Sequence, residues 1–437
     1  MKLRIERFAK IKEAEIELDG ITVIAGYNDT GKSTIGKILY SVFNSLKSID
    51  KSVNNKRKND IQKVCSEITT GVYGNRHIFM AVEDGTGFLE IERILVNKIM
   101  EFKGDLTIDE YRNILNEVIA EEDKKGRESE IEDYVETSYS KISAIKNTSQ
   151  EDLYKEIIER YFSNIFFTQI NNCYYPDEEA KINLNIKGKD IKLLFRNNKC
   201  MEIELPINIL HEAFLIDDPF ILDNIVYGKS SLLGISIREQ LIRKIMYQRD
   251  NLLDGIFDAV VAKESLRKIN DVLDKVVNGE IKNTKDGMQY ISANHEEPIS
   301  VMNLSAGLKG FVLIKTLLER GILKEKDVLI LDEPEIHMHT EWQLIYAEII
   351  VLIQKYFDMT ILVTTHSSHF LQAIEYFSKK YEIENKCHYY LSKSKDSGVT
   401  FENVTNNIDK IHSEMVEPSI RLDRLEEELE DERKDEF

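Results

Sequence analysis

The sequence predicts an α/β fold, a mixed sheet with flanking helices, interrupted by helical insertions. Three observations carry that expectation. A continuously apolar run, Ile21–Ala25, leads into a glycine-rich loop, Gly26–Ser33. A helical pattern follows, with Ile35, Ile38, Leu39 and Phe43 on one face. Residues 281–405 then alternate strand and helix, the rhythm of parallel strands joined by crossover helices.

Taken in order, Leu3–Phe8 and Ala14–Leu18 alternate apolar and charged residues, the period of a half-buried strand. Ile21–Ala25 reads as a strand covered on both faces. Residues 77–98 alternate again around Asp84-Gly85, which predicts a hairpin. Residues 99–165 are charged and helical, 166–207 strand-like with a turn at Lys187–Lys189, and 230–277 helical again. There Leu266, Ile269, Leu273 and Val276 form an apolar stripe, as on a packed helix face. Gly310–Gly321 predicts a helix, Asp327–Leu331 a strand, Glu341–Tyr356 a helix and Met359–Thr364 a strand. Residues 426–437 hold eight acids and two bases, the composition of a solvated helix end or frayed tail.

At about 150 residues per domain, 437 residues make two or three lobes. With 42% hydrophobic and 31% charged residues the chain buries a core, and no apolar run has membrane-spanning length. MKLRIERFAK lacks a signal-peptide apolar stretch, and Cys65, Cys173, Cys200 and Cys387 lie far apart with no CxxC pair. Both features predict a reducing cytoplasm. A net charge of −19 argues against general nucleic-acid adhesion and leaves room for a local basic groove.

Four motifs carry chemistry. Gly26-Tyr27-Asn28-Asp29-Thr30-Gly31-Lys32-Ser33 matches GxxxxGK[ST] between a strand and a helix. In such a loop backbone N–H groups and a helix N-terminus cradle phosphate. Gly26, Asn28, Asp29, Thr30, Gly31, Lys32, Ser33 and Thr34 are thus the nucleotide-binding candidates, with Lys32 on the terminal phosphates and Ser33 on Mg²⁺. Val328–Glu333 is an apolar strand ending in two acids. Asp332 would hold Mg²⁺ through water, and Glu333 would act as general base on the attacking water. Asn303-Leu304-Ser305-Ala306-Gly307-Leu308-Lys309 precedes a helix, 27 residues ahead of Asp332. Ile361–Ser367 is a second apolar strand that ends at His366, 33 residues after Glu333.

In this order the motifs resemble those of ABC-type P-loop ATPases, in the looser form of SMC-like and OLD-like members. Ser305 and Gly307 match the LSGGQ-like signature; Ala306 and Leu308 depart from it. Glu333–Gln343, EPEIHMHTEWQ, resembles EPExHLHPxxQ, with Thr340 in place of proline. Thr365–Phe370, THSSHF, resembles THSPxF, with Ser368 in place of proline. The match is nearest to stand-alone ATPases of the overcoming-lysogenization-defect type, including those of antiphage systems such as Septu and PARIS. The resemblance implies an ABC-type P-loop head that binds ATP and Mg²⁺, with Glu333, His366 and Lys32 catalytic. It implies a homodimer in which Ser305 and Gly307 reach the γ-phosphate held by the other chain, and His366 as the γ-phosphate switch. A hexamer is what the defence ATPases suggest. The family also has a glutamine loop on the metal; Gln169 is the candidate, and a plain strand residue fits it equally well. His337 and His339 form an HxH without further metal ligands at suitable spacing, and more plausibly line the loop that crosses to the partner.

The resulting division is an N-terminal ATPase lobe at 1–98, a helical insert at 99–165, and a strand-rich segment at 166–229. A helical insert for dimerisation or docking follows at 230–280, a C-terminal ATPase lobe at 281–405 and an acidic tail at 406–437. Both inserts are too short for the rods of long SMC proteins. The 71 residues after His366 carry no TOPRIM pattern, and no HNH-like constellation is visible. The expected effector is therefore a separate protein, a nuclease of HNH or TOPRIM type, with no membrane partner. A DNA-repair ATPase of the RecF kind remains the alternative, with Arg238, Arg243, Lys244 and Arg249 as its candidate basic run. A transporter ATPase subunit and a nearly idle scaffold are further readings.

Overall fold

Eleven strands of one mixed sheet run through the described part of the chain. The computed structural model describes residues 1–73, 88–102, 104–122, 128–224, 236–246, 256–284, 287–292, 296–395 and 397–435. They divide into two compact units, Met1–Lys47 with Ile157–Phe437, and Ser48–Glu156.

In the first unit β1 (Lys2–Phe8) and β2 (Ile11–Glu17) pair antiparallel, and Leu3, Ile5 and Phe8 are buried in the core. β3 (Ile21–Ala25) is buried along its whole length and feeds α1 (Lys32–Leu46). β4 (Ala180–Ile186), β5 (Lys189–Arg196) and β6 (Lys199–Glu204) extend the antiparallel side from β1. The other side is parallel: β7 (Ala213–Ile216), β11 (Val328–Asp332) and β12 (Thr360–Thr365) lie beside β3. β13 (Cys387–Lys395) flanks β3 on its other edge, and β14 (Gly398–Asn403) closes back onto β2. The order is β6-β5-β4-β1-β2-β14-β13-β3-β12-β11-β7.

The parallel strands read as unbroken apolar runs because helices cover them. Val328, Leu329, Ile330, Leu331, Ile361, Leu362 and Val363 have no solvent exposure, and each contributes about 1.5–3 kcal/mol. The covering helices include α1, α10 (Ala306–Glu319), α11 (Thr340–Phe357) and α12 (Ser368–Lys380). The helices of the second insert, α8 (Ile237–Met246) and α9 (Ile256–Leu273), join the same core through Leu241, Ile245, Ile269 and Leu273. A small antiparallel sheet, β8 (Gly279–Thr284), β9 (Gly287–Ser292) and β10 (Ile299–Ser300), leads into α10. A short helix, α7 (Ile221–Asn224), follows β7, and α13 (Asp409–Asp435) ends the described chain.

The second unit has its own core. It holds α2 (Ile49–Tyr73), α3 (Phe88–Glu101), α4 (Ile108–Glu122), α5 (Glu128–Asn147) and the start of α6 (Gln150–Phe166). Ile68, Leu95, Ile99, Leu115, Ile119 and Val135 are buried together. Thr107 and Glu110 make a reciprocal capping box at the start of α4.

Two expectations need correction. The helical unit begins at Ser48, so the N-terminal lobe does not run to residue 98. The hairpin expected over 77–98 is not formed in its described half, because Phe88–Glu101 is helix. Ile91, Leu95 and Ile99 recur every four residues and bury one helical face, and this period overrides the short alternation before it. The turn Asp84-Gly85 lies outside the described residues. In the segment 166–229 strands start only at Ala180. Among the described residues no helix is long and apolar enough to cross a membrane.

Candidate nucleotide-binding site

Strand register brings the motifs to one edge of the sheet. Ala25 pairs with Thr365, Asp332 with Thr364, and Leu391 with Ala25. The residues that follow β3, β11 and β12, namely Gly26, Glu333 and His366, therefore emerge side by side at the carboxyl ends of parallel strands. Open α/β sheets bind ligands at that edge.

The loop Gly26–Gly31 is built for close backbone approach. Gly26 has φ +151°, and a Cβ there would lie 2.2 Å from the Ser392 hydroxyl oxygen. Asp29 and Gly31 also have positive φ. The Thr30 and Ser392 hydroxyls lie 2.6 Å apart, within reach of the Tyr27 and Ala25 carbonyls. Asp29 is exposed and held by Lys10 from the β1–β2 turn at 2.6 and 2.7 Å. Asn28 is exposed, and Thr34 donates its N–H to the Gly31 carbonyl. The start of α1 has no side-chain cap and no acid in its first turn. No side chain of the loop therefore competes with an anion for the Lys32 and Ser33 N–H groups.

Lys32 is buried. Its ammonium donates to the Gly26 and Tyr27 carbonyls at 2.9 Å each and lies 3.2 Å from Glu333 Oε1. Ser33 donates to Asp332 Oδ1 at 3.0 Å. Asp332 also accepts from Thr364, whose hydroxyl in turn accepts the Glu333 N–H at 3.0 Å. A serine hydroxyl beside a carboxylate is a hard-oxygen donor set, and it suits Mg²⁺.

Glu333 sits at φ +49°, a strained position for a non-glycine residue at the strand exit. Its carboxylate lies between the Lys32 ammonium and His366 Nδ1, the latter at 3.5 Å. His366 is half exposed and is also 3.8 Å from Glu335 Oε1. Glu335 is buried. It accepts from the Thr365 hydroxyl and from the His366 N–H, and burial pushes its carboxyl above the usual glutamate range.

The signature lies apart from this cluster. Ser305 is exposed, caps α10 by accepting the Leu308 N–H, and has no bond to Lys32, Ser33 or Glu333. Gly307 is pressed against the loop after β11: a Cβ there would sit 2.8 Å from the His337 carbonyl and 3.2 Å from the Trp342 ring. His337 stacks edge-on with Phe220, and His339 caps α11 by accepting the Glu341 N–H. Thr340 and Ser368 each open a helix, behind the caps His339 and Ser367. Proline favours that same first helical position, so these two departures leave the loops intact. Gln169 is exposed on the turn after α6 and makes no bond to Ser33 or Asp332.

The AAA ATPase domain model matches residues 1–371. The chain belongs to the AAA ATPase domain family. No curated protein matches it. Among solved structures it is similar to an SMC head domain from Thermotoga maritima, 13% identical, covering 92% of this chain and 98% of that one at a TM-score of 0.36. An SmcHead bound to the C-winged helix domain of ScpA is 10% identical, with coverages of 92% and 97% and a TM-score of 0.43. An Smc head domain with an extended coiled coil, bound to the C-terminal domain of ScpA derived from Pyrococcus furiosus, is 10% identical at a TM-score of 0.34.

Several residues around the site escaped the motif reading. Thr364 orients both acids, and a polar residue ending an apolar strand was its only signal. Glu335 was visible merely as part of the EPE string. Ser392 has no local signal, since only the β13–β3 pairing brings it under Gly26.

Proposed function

We propose that the chain is an ATP-binding and hydrolysing ABC-type switch that closes as a dimer and controls a separate effector nuclease in antiphage defence. The observation that carries the nucleotide part is the clustering of Lys32, Ser33, Asp332, Glu333 and His366 at one sheet edge. The antiphage part rests on the resemblance of the 333–343 and 365–370 strings to stand-alone defence ATPases.

In this reading the loop N–H groups and Lys32 bind the β- and γ-phosphates. Ser33 and Asp332 hold Mg²⁺, which when bound neutralises phosphate charge. Glu333 orients the attacking water and takes its proton, and His366 senses the γ-phosphate from the adjacent strand. Ser305 is exposed and unattached to its own site, as a residue serving a second chain's phosphate would be. Hydrolysis removes the γ-phosphate that bridges the two chains, and the effector reads the opening.

The DNA-repair alternative draws less support. Arg238 is paired with Asp217 and Asp218, Lys244 with Glu212, and Arg249 lies outside the described residues.

The test is Glu333→Gln. Phosphate release is expected to fall by about 10²–10⁴-fold while ATP binding persists. Turnover at the parental rate would refute Glu333 as the base.

A further inference from the structure

The C-terminal helix carries an apolar face that starts in the core and runs out of it. Ile411, Met415, Pro418, Leu422 and Leu425 follow at intervals of four and three, one stripe of a helix. Ile411 is fully buried and Met415 packs against the head core, which fixes the first turns of α13. Beyond Pro418 the same stripe is uncovered, with Leu422 57% and Leu425 52% exposed. Seam spacing of this kind is the signature of helix-to-helix pairing, and among the described residues none covers Leu422 or Leu425.

Charge selects the occupant. Over 419–435 the helix is net acidic, with eight acids against four bases. A second copy would bring the same acids and a further net charge of −19, so like charges would line the seam. A helix with basic flanks meets the opposite condition.

The same helix touches the phosphate loop. Pro418 has no N–H, so the Glu414 carbonyl four residues earlier lacks its helical donor. The Tyr27 hydroxyl of the phosphate loop donates to that carbonyl at 2.7 Å. The point where the exposed stripe begins is therefore bonded to the loop that would hold ATP.

We propose that the stripe Pro418–Leu425 docks a basic amphipathic helix of a separate protein, and that the Tyr27–Glu414 bond passes its occupancy to the phosphate loop. The docking stands without the proposed function; the coupling rests on the nucleotide-site reading.

The probe is a fluorescein-labelled peptide of about three heptads, leucine at a and d and lysine at e and g, with a scrambled peptide of equal composition as control. Anisotropy is read with the full chain at about 0.15 M salt, where exposed charge alone is screened. The heptad peptide should bind about tenfold or more tighter than the scramble, and Leu422→Asp with Leu425→Asp should abolish that difference. Both leucines are exposed, and an unchanged unfolding midpoint confirms that the variant is folded. Equal binding of both peptides, or undiminished binding by the variant, overturns the docking. Light scattering that shows the substitutions turning a dimer into monomers, with no peptide binding by the parent, assigns the stripe to a second copy and also overturns it. Saturating peptide should shift the affinity for a fluorescent ATP analogue by about fivefold, and Tyr27→Phe should remove the shift. No shift in the parent overturns the coupling. Lys32→Ala should lose the analogue yet bind the peptide, so failure of the nucleotide reading is seen separately.

Discussion

Lys32 shares one ammonium among the Gly26 and Tyr27 carbonyls and the Glu333 carboxylate, all within 3.2 Å. A phosphate offers the same ammonium charge-assisted bonds, worth about 1.5–3 kcal/mol each. Lys32→Ala is therefore expected to weaken ATP binding by about 10- to 100-fold, read by titration with a fluorescent analogue. Glu335 makes a different prediction. Burial holds its carboxyl above the ordinary 4.5 of glutamate. Between that value and the raised one the folded chain keeps a proton that the unfolded chain has released. Stability therefore falls as pH rises through this window. Glu335→Gln has no proton to lose, and its amide oxygen still accepts from Thr365 and His366. The stability of the variant relative to the parent should rise as pH climbs above about 4.5 and then level off. Unfolding midpoints at acidic and alkaline pH decide this, and a difference independent of pH would contradict it.

The elements that position these side chains were legible where a single local rule operates. Ile21–Ala25 emerges with the expected bounds, and the strands at 328 and 360 are each displaced by one residue. Their apolar runs answer to burial alone, and glycine, acid or histidine marks each exit. The described half of the hairpin expected over 77–98 is helix instead, because a face repeated over Ile91, Leu95 and Ile99 outweighs the local alternation. The 25-residue helix at 49–73 carries charge on several sides and gave no clear period. Contacts between distant elements were not legible at all. Gly36 of α1 is one: a Cβ there would lie 2.8 Å from Ile330 Cγ2 on β11. This close approach seats the helix that follows the phosphate loop. Ile330 is β-branched and cannot swing aside. Gly36→Val should cost about 1–3 kcal/mol by overpacking. Ile330→Ala should cost about 2–5 kcal/mol by leaving a cavity. Together they should cost less than their sum, because valine fills what alanine vacates. Chemical denaturation of the two single variants and the double variant measures the coupling, and strict additivity would show that α1 is not seated by this contact.

At the scale of the whole molecule the proposed sharing of each site between two chains matters most. Ser305 caps α10 in the open while Lys32, Ser33 and Glu333 cluster elsewhere on the same chain. Gly307 nevertheless packs on the loop that follows Glu333, with its Cβ position 2.8 Å from the His337 carbonyl. The 305–307 segment is thus packed on the loop after Glu333, and in the proposed function its exposed Ser305 hydroxyl serves a second chain. If each ATP is shared between the phosphate loop of one chain and the signature of a second, a Lys32→Ala chain and a Ser305→Arg chain are each inactive alone. Mixed, they form a dimer with one whole site and one doubly damaged site. Random pairing makes half of the dimers mixed, each with one of two sites intact. ATPase activity should then recover to about a quarter of the parental value. Recovery requires exchange of chains, so the mixture is made before ATP is added. Phosphate release that stays at the level of the separate variants, while mass measurement shows mixed dimers, would mean that each chain completes its own site and that the sandwich is wrong.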